Sequence, residues 1–246
     1  MNDILFSADT PDHRFTLKDG SICRIRAIGY DDRDLLQAGF ARLSPQSRRL
    51  RFFNAKQSLT DAELDYLTSA DGHNHIAFGA VRLDARGSEV EGLGTVRCIR
   101  FAPDSDTAEL AITVVDGMQG QGIGGTLLRH LVTASRRQGI RRFQCEVLAE
   151  NEAMRAVAQG LGSNPRWLGD GIVEYECALP ETDPQDDPPL LSGSPAFPLP
   201  FAFSGWSMKD TRAPANRSAE TIIDFNAWLA RSWLHYWADT VAHSFG

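Results

Sequence analysis

Apolar and polar positions keep a regular order through the first 179 residues, but the period changes several times. SICRIRAI (Ser21–Ile28) alternates and predicts a first strand. In DDRDLLQAGFARLS the apolar residues Leu35, Leu36, Phe40 and Leu43 recur at helical spacing. TDAELDYL opens with Thr60 and Glu63, the spacing of a capping box, which predicts a short helix. HIAFGAVRLD (His75–Asp84) and EGLGTVRCIRF (Glu91–Phe101) read as two strands joined by a hairpin-like turn. TAELAITVV (Thr107–Val115) is another strand, followed by a glycine-rich loop and a helix to about Gln138. Gly139 is placed to end that helix, where Arg136 and Arg137 suit the negative end of its dipole. RRFQCEVL (Arg141–Leu148) predicts a strand, ENEAMRAVAQGLG a short helix and GIVEYECAL (Gly171–Leu179) a closing strand.

Strand, two helices, three strands, helix, strand, helix, strand is a mixed α+β order, expected for one domain over residues 1–179. Residues 1–20 read as a lead-in. At Pro180 the composition changes. PETDPQDDPPLLSGSPAFPLP holds seven of the twelve prolines, so residues 180–218 are expected to form a linker. Residues 219–246 return to helical spacing, with Ile222, Phe225, Leu229, Trp233, Tyr236 and Trp237 on one face and Asp224, Arg231, His235 and Asp239 opposite. So large an apolar face needs a cover. Docking in cis, or contact with a protein partner or second subunit, fits better than lipid, because the polar face holds one Arg and no Lys. The expectation is a protein contact and no membrane.

Composition narrows the function classes. A net charge of −7 argues against nonspecific nucleic-acid binding and mildly favours basic partners such as amines. Cys23, Cys98, Cys145 and Cys177 form no CxxC pair and sit in strand-like runs, where free cysteines pack as small hydrophobes. MNDILFSADTPDHRF has no basic region followed by an apolar core, and no apolar run reaches membrane-spanning length, so a cytoplasmic location is expected. His73 and His75 lie in a polar loop with only Asp71 near, and no metal site is expected there. Asp31, Asp32 and Asp34 suit a helix start, and RRLRFF (Arg48–Phe53) suits a surface helix with arginines over an apolar anchor.

QGQGIGG (Gln119–Gly125) places four glycines between a strand and a helix. A helix N-terminus exposes unpaired amides and partial positive charge, and glycines let a phosphate come close to them. The loop therefore reads as an anion cradle. A Walker A loop would need a Lys where Gly125 and Thr126 stand. Gly120, Gly122 and Gly125 match dinucleotide spacing, but this strand follows three others, and Glu146 lies inside the next strand rather than at its end.

What remains is Q-x-x-G-x-G, formed by Gln119, Gly122 and Gly124. This resembles the pyrophosphate signature of the GNAT superfamily of acyl-CoA-dependent N-acetyltransferases. AELAITVVDGMQGQGIGGTLL is similar to that family's fourth strand, loop and third helix. GIRRFQCEVLAENEAMRAVAQGLG is similar to its fifth strand and fourth helix, including Asn151 and Met154. LKDGSICRIRAIGYDDRDLL and LSPQSRRLRFF resemble the acetyltransferase domain of bacterial protein lysine acetyltransferases. The resemblance covers roughly residues 15–179 and implies a mixed central sheet of six to seven strands with flanking helices. It also implies that the fourth and fifth strands splay to admit the pantetheine arm of acetyl-CoA. Main-chain groups near Ile112 and Val114 would hold the arm. The loop residues Gln119, Gly120, Gln121, Gly122, Gly124, Gly125 and Thr126 would hold the pyrophosphate, with Asn151 beside them.

Acyl transfer to an amine needs a base, because a lysine ammonium ionises near pH 10.4 or so. Alternation puts Glu109, Ala111 and Thr113 on one face of their strand and Leu110, Ile112 and Val114 on the other. The family resemblance gives Glu109 the role of base, with Glu146 second; a structural ion pair is the plain alternative for Glu109. The tyrosine that serves many small-molecule GNAT enzymes as acid is replaced by Ala158, which fits the protein-acetylating branch, and Tyr175 is the one later tyrosine before the linker. Ser163 departs from the common LGF ending. The expected activity is acetyl transfer from acetyl-CoA to an amine acceptor, foremost a protein lysine. A small-molecule amine and an inactive acyl-CoA-binding module stand as alternatives.

Overall fold

The computed structural model describes residues 13–181. The expected linker beyond residue 181 and the amphipathic helix at 219–246 lie outside the described residues. Eight strands form one sheet: β1 (His13–Thr16), β2 (Ile22–Ala27), β3 (His75–Leu83), β4 (Glu89–Arg100), β5 (Thr107–Val114), β6 (Arg142–Leu148), β7 (Asn164–Gly169) and β8 (Ile172–Ala178). Their order across the sheet is β1-β2-β3-β4-β5-β6-β8-β7. Neighbours run antiparallel except β5 and β6, which are parallel. That one parallel pair needs a crossover, and helix α4 (Ile123–Arg137) supplies it.

The expected sheet of six to seven strands has eight. β1 lies inside the lead-in; its four residues are too few to show a period. β7 (NPRWLG) is exposed at all six positions and pairs only with β8. Pro165 is tolerated there because an edge strand has a side that needs no ladder bond.

The helices divide between the two faces. α4 packs on β3, β4 and β5, and α5 (Glu152–Gly160) packs on β8. Ala108 and Leu110 of β5, Phe143, Cys145 and Val147 of β6, and Leu127, Leu128 and Leu131 of α4 join one apolar core. All four cysteines are buried and free in that core, with Cys98 beside Ser135. On the other face lie α1 (Arg33–Ala41), α2 (Pro45–Phe52) and α3 (Asp61–Thr68), with α1 against β4 and α2 against β5. The capping box at α3 forms as expected, with Thr60 and Glu63 reciprocating. α2 starts at Ser44, whose hydroxyl accepts from Ser47 N, followed by Pro45 at the first helical position.

Candidate active site

The parallel ladder between β5 and β6 is short. Thr107 faces Arg142, Ala108 faces Phe143 and Glu109 faces Gln144, and there it stops. Both strands continue, β5 to Val114 and β6 to Leu148, each still paired on its outer side to β4 and β8. The sheet is therefore forked, and among the described residues no strand lies between its two inner edges. Such edges accept an extended chain that brings its own amides. The expected splay of these strands is present, and Ile112 and Val114 lie on the open edge of β5.

At the open end of the fork the chain passes through a short 3-10 turn (Asp116–Met118) into the glycine loop. Gly120 and Gly122 adopt left-handed backbone, with φ of 72° and 86°. Among the described residues no side chain caps α4, and its first turn holds no acid. A Cβ built at Gly120, Gly122 or Gly125 would meet nothing within 4 Å, so open space lies over the amides. An uncapped N-terminus under open space fits a pyrophosphate. Gly124 serves packing: its Cβ position is 3.5 Å from Ile112 Cδ1 and 3.6 Å from Val114 Cγ2, which seats α4 on the end of β5. Thr126 Oγ1 donates to Gly122 O (3.0 Å) and closes the first helical turn.

Three expected ligands have protein partners of their own. Gln119 Nε2 donates to Val114 O (3.2 Å), one of the carbonyls expected along the pantetheine arm. Gln121 Nε2 lies 4.0 Å from Met118 Sδ. Asn151 Oδ1 caps α5 by accepting from Met154 N (3.1 Å).

Two features here escaped the sequence reading. Arg129 Nη2 sits 3.3 Å from Thr126 Oγ1, bringing a cation to the cradle. Asp116 accepts from Ser44 N (2.9 Å), Ser44 Oγ (2.7 Å) and Ser47 Oγ (2.8 Å), fastening the start of α2 to the approach of the loop. Burial works against its charge, but the Ser44 and Ser47 donors outweigh that and hold its carboxyl below the usual range. α2 then crosses the fork, and its Arg49 forms an ion pair with Glu150 after β6.

The carboxylates lie on the face away from α4. Glu109 stands half-buried at the last rung, and its charge acts on Arg51 of α2. Across the fork, Glu146 lies two residues beyond Gln144 on the same face. Burial first, and then the neighbouring Glu174, push Glu146 above the usual carboxylate range. Glu174 is itself held by Gln144 Nε2 (2.6 Å) and Arg166 Nε (2.8 Å). Tyr175 faces the other way: it is buried under α5, and its hydroxyl accepts from Arg155 Nε (3.2 Å). His73 and His75 do not share a site. His73 is exposed between Gln138 and Asp104, whereas His75 is buried against Arg97.

Beside Glu109, a cavity of about 90 Å³ lies between the sheet and α1–α3. Its wall is mainly apolar, with Thr95, Thr113, Arg51 and Arg97 among the polar residues lining it.

The profile of the acetyltransferase (GNAT) family matches residues 40–162. An acetyltransferase of Pseudomonas aeruginosa is 33% identical over 158 residues, spanning 64% of this chain and 83% of that protein. The chain belongs to the GNAT acetyltransferase family. The solved GNAT domain of PAT from S. lividans is 31% identical with a TM-score of 0.60, over 68% of this chain and 96% of that one. The acetyltransferase Pat of Mycolicibacterium smegmatis is 31% identical over 135 residues, and this chain spans 39% of its length. As a GNAT member the chain is an acetyl-CoA-dependent N-acyltransferase, and the fork and the glycine cradle are the parts of its fold that suit the donor.

Proposed function

We propose that this GNAT enzyme acetylates a primary amine, foremost a protein lysine, with Glu109 as general base. The observation that carries this reading is the position of Glu109. It stands at the closed end of the fork, on the face covered by α2, with the glycine cradle at the open end. A donor whose pyrophosphate lies on Gln121–Thr126 and whose arm runs along Ile112 and Val114 ends beside that carboxylate. When bound, acetyl-CoA supplies the thioester carbonyl that the amine attacks. Glu109 then takes the proton that the ammonium must lose. It is half-buried, and Arg51 keeps a positive charge near it.

The lysine assignment draws on the likeness of residues 17–36 and 43–53 to protein lysine acetyltransferases, and on Ala158, buried where small-molecule enzymes of the family carry an acid. Glu146 ranks second as base. The test is CoA release, with mass spectrometry of the product, using a lysine peptide and a small amine in parallel. Glu109→Gln should cut turnover on the order of 10²–10⁴-fold while leaving acetyl-CoA binding little changed. Turnover within a few-fold of wild type across pH 6–9 would move the base to Glu146. Acetylation of the small amine alone would remove the lysine assignment.

A further inference from the structure

The cavity under α1–α3 is lined by a buried cation, Arg97, whose direct hydrogen-bond partners are neutral. Arg97 is 4% exposed. Its Nη1 donates to Leu67 O (3.1 Å) and approaches His75 Nε2 (3.2 Å). Burial, and then Arg97 itself, push His75 down to about 3, so its ring is neutral and offers a lone pair, not a charge. Arg97 is also pushed down, to about 9, by burial and then by the Arg51 guanidinium. It nevertheless stays largely charged at neutral pH. The remaining charged lining residues do not neutralise it. Asp32 is the sole acid among the described residues that line the cavity, and it is taken by Arg26 at 2.6 Å. Arg26 is held in turn by Glu89. Buried guanidinium groups are normally paired, because an unpaired one loses its hydration for nothing. Here a second guanidinium, half-buried Arg51, lines the same chamber, and the charge of Glu109 acts on it.

Register puts this chamber beside the reacting atoms. Arg97 lies opposite Ala111, and Ile99 lies opposite Glu109. Arg97 is therefore the diagonal neighbour of Glu109 on the same face, roughly 7–8 Å away across the sheet. Thr113, on the open edge of β5, lines the chamber. One water needs roughly 10–15 Å³ of such space, so the cavity has room for a carboxylate on a short chain.

We propose that this cavity is a carboxylate-binding subsite, in which Arg97, with Arg51 behind it, receives an acid group carried by one of the two substrates. The inference rests on the acyl-transfer reading of the fork. The acid has two possible carriers. One is the acyl donor, as in a dicarboxylic acyl-CoA such as succinyl-CoA. The other is the acceptor, as in an amine bearing a carboxylate a few bonds from its nitrogen. Apolar walls fit the methylenes of either, and the fork of guanidinium donors fits the carboxylate.

Binding is read first without turnover, so that failure of the acyl-transfer reading cannot be mistaken for failure of the subsite. Succinate should stabilise the wild-type protein in thermal melts, and its uncharged diamide should not. Arg97→Gln should weaken the succinate effect at least tenfold, and Arg97→Lys should retain part of it. Calorimetry with acetyl-CoA on both variants shows that the rest of the site is intact. Then succinyl-CoA is compared with acetyl-CoA on one lysine peptide, and 4-aminobutyrate with butylamine as acceptors for acetyl-CoA. A preference for succinyl-CoA that Arg97→Gln abolishes assigns the acid to the donor. A preference for 4-aminobutyrate abolished in the same way assigns it to the acceptor. If wild type does not distinguish succinate from its diamide, or shows no preference in either pair, the proposal is wrong. Equal succinate binding by wild type and Arg97→Gln overturns it as well.

Discussion

Glu146 shows how much of a side chain's chemistry is decided by its neighbours. In the sequence it is a carboxylate inside an alternating strand, set behind Glu109 by the family resemblance and not by its own surroundings. In the fold, burial and the facing Glu174 raise its proton affinity above that of the unfolded chain, whose value lies near 4.5. The native state then binds more protons than the unfolded state as pH climbs above 4.5, so stability falls through that window. Glu146→Gln should melt higher than wild type at pH 7, by roughly 2–4 °C if about 1 kcal/mol is relieved. The gap should close below pH 4.5, where both native and unfolded wild type carry the proton. Melts from pH 4 to pH 8 test this; a gap constant with pH would mean a packing effect. The face of Glu109 was legible because a strand's period is two. The burial of Arg97, and the half-burial of Arg51 beside it, was not. An arginine in a strand or on a short helix reads as solvent-facing until three helices are known to cover it.

Among the elements, the glycine loop was the most legible, because each of its residues has a local reason to be there. The structure divides those reasons. Gly122 is held at φ of 86°, where an L-residue costs roughly 1–2 kcal/mol. Gly124 lies in the helix, and a methyl there would rest in ordinary contact with Ile112 and Val114. Gly122→Ala is therefore expected to lower acetyl-CoA affinity about tenfold, because a relaxed loop no longer aims its amides. Gly124→Ala should bind within a few-fold of wild type. Calorimetry on the pair checks this, and equal losses would show that the loop is read by space rather than by backbone shape. The elements that were missed share one physical trait. β1 and β7 lie at the two edges of the sheet, half-exposed or exposed throughout, so no apolar stripe marks them. The tie between Asp116 and α2 joins residues 72 apart in the chain, beyond any local pattern.

At the level of the molecule, strand order follows from the succession of elements, but the length of each ladder does not. Nothing in TAELAITVV or RRFQCEVL says that their pairing ends after three residues. That brevity divides the sheet into a leaf of five strands and a leaf of three, hinged on three rungs. A donor lying between them is a splint. Amides on the inner edges of residues 110–114 and 145–148 should exchange with solvent markedly faster in the free protein than with acetyl-CoA bound. Exchange followed by mass spectrometry would show it, and unchanged rates at those positions would place the donor elsewhere. The same splint ties survival to supply. A ligand held at a hundred times its dissociation constant adds about 2.7 kcal/mol to stability, so each departure of CoA leaves the hinge unbraced. A protein braced in this way should melt lower when free than when saturated with CoA.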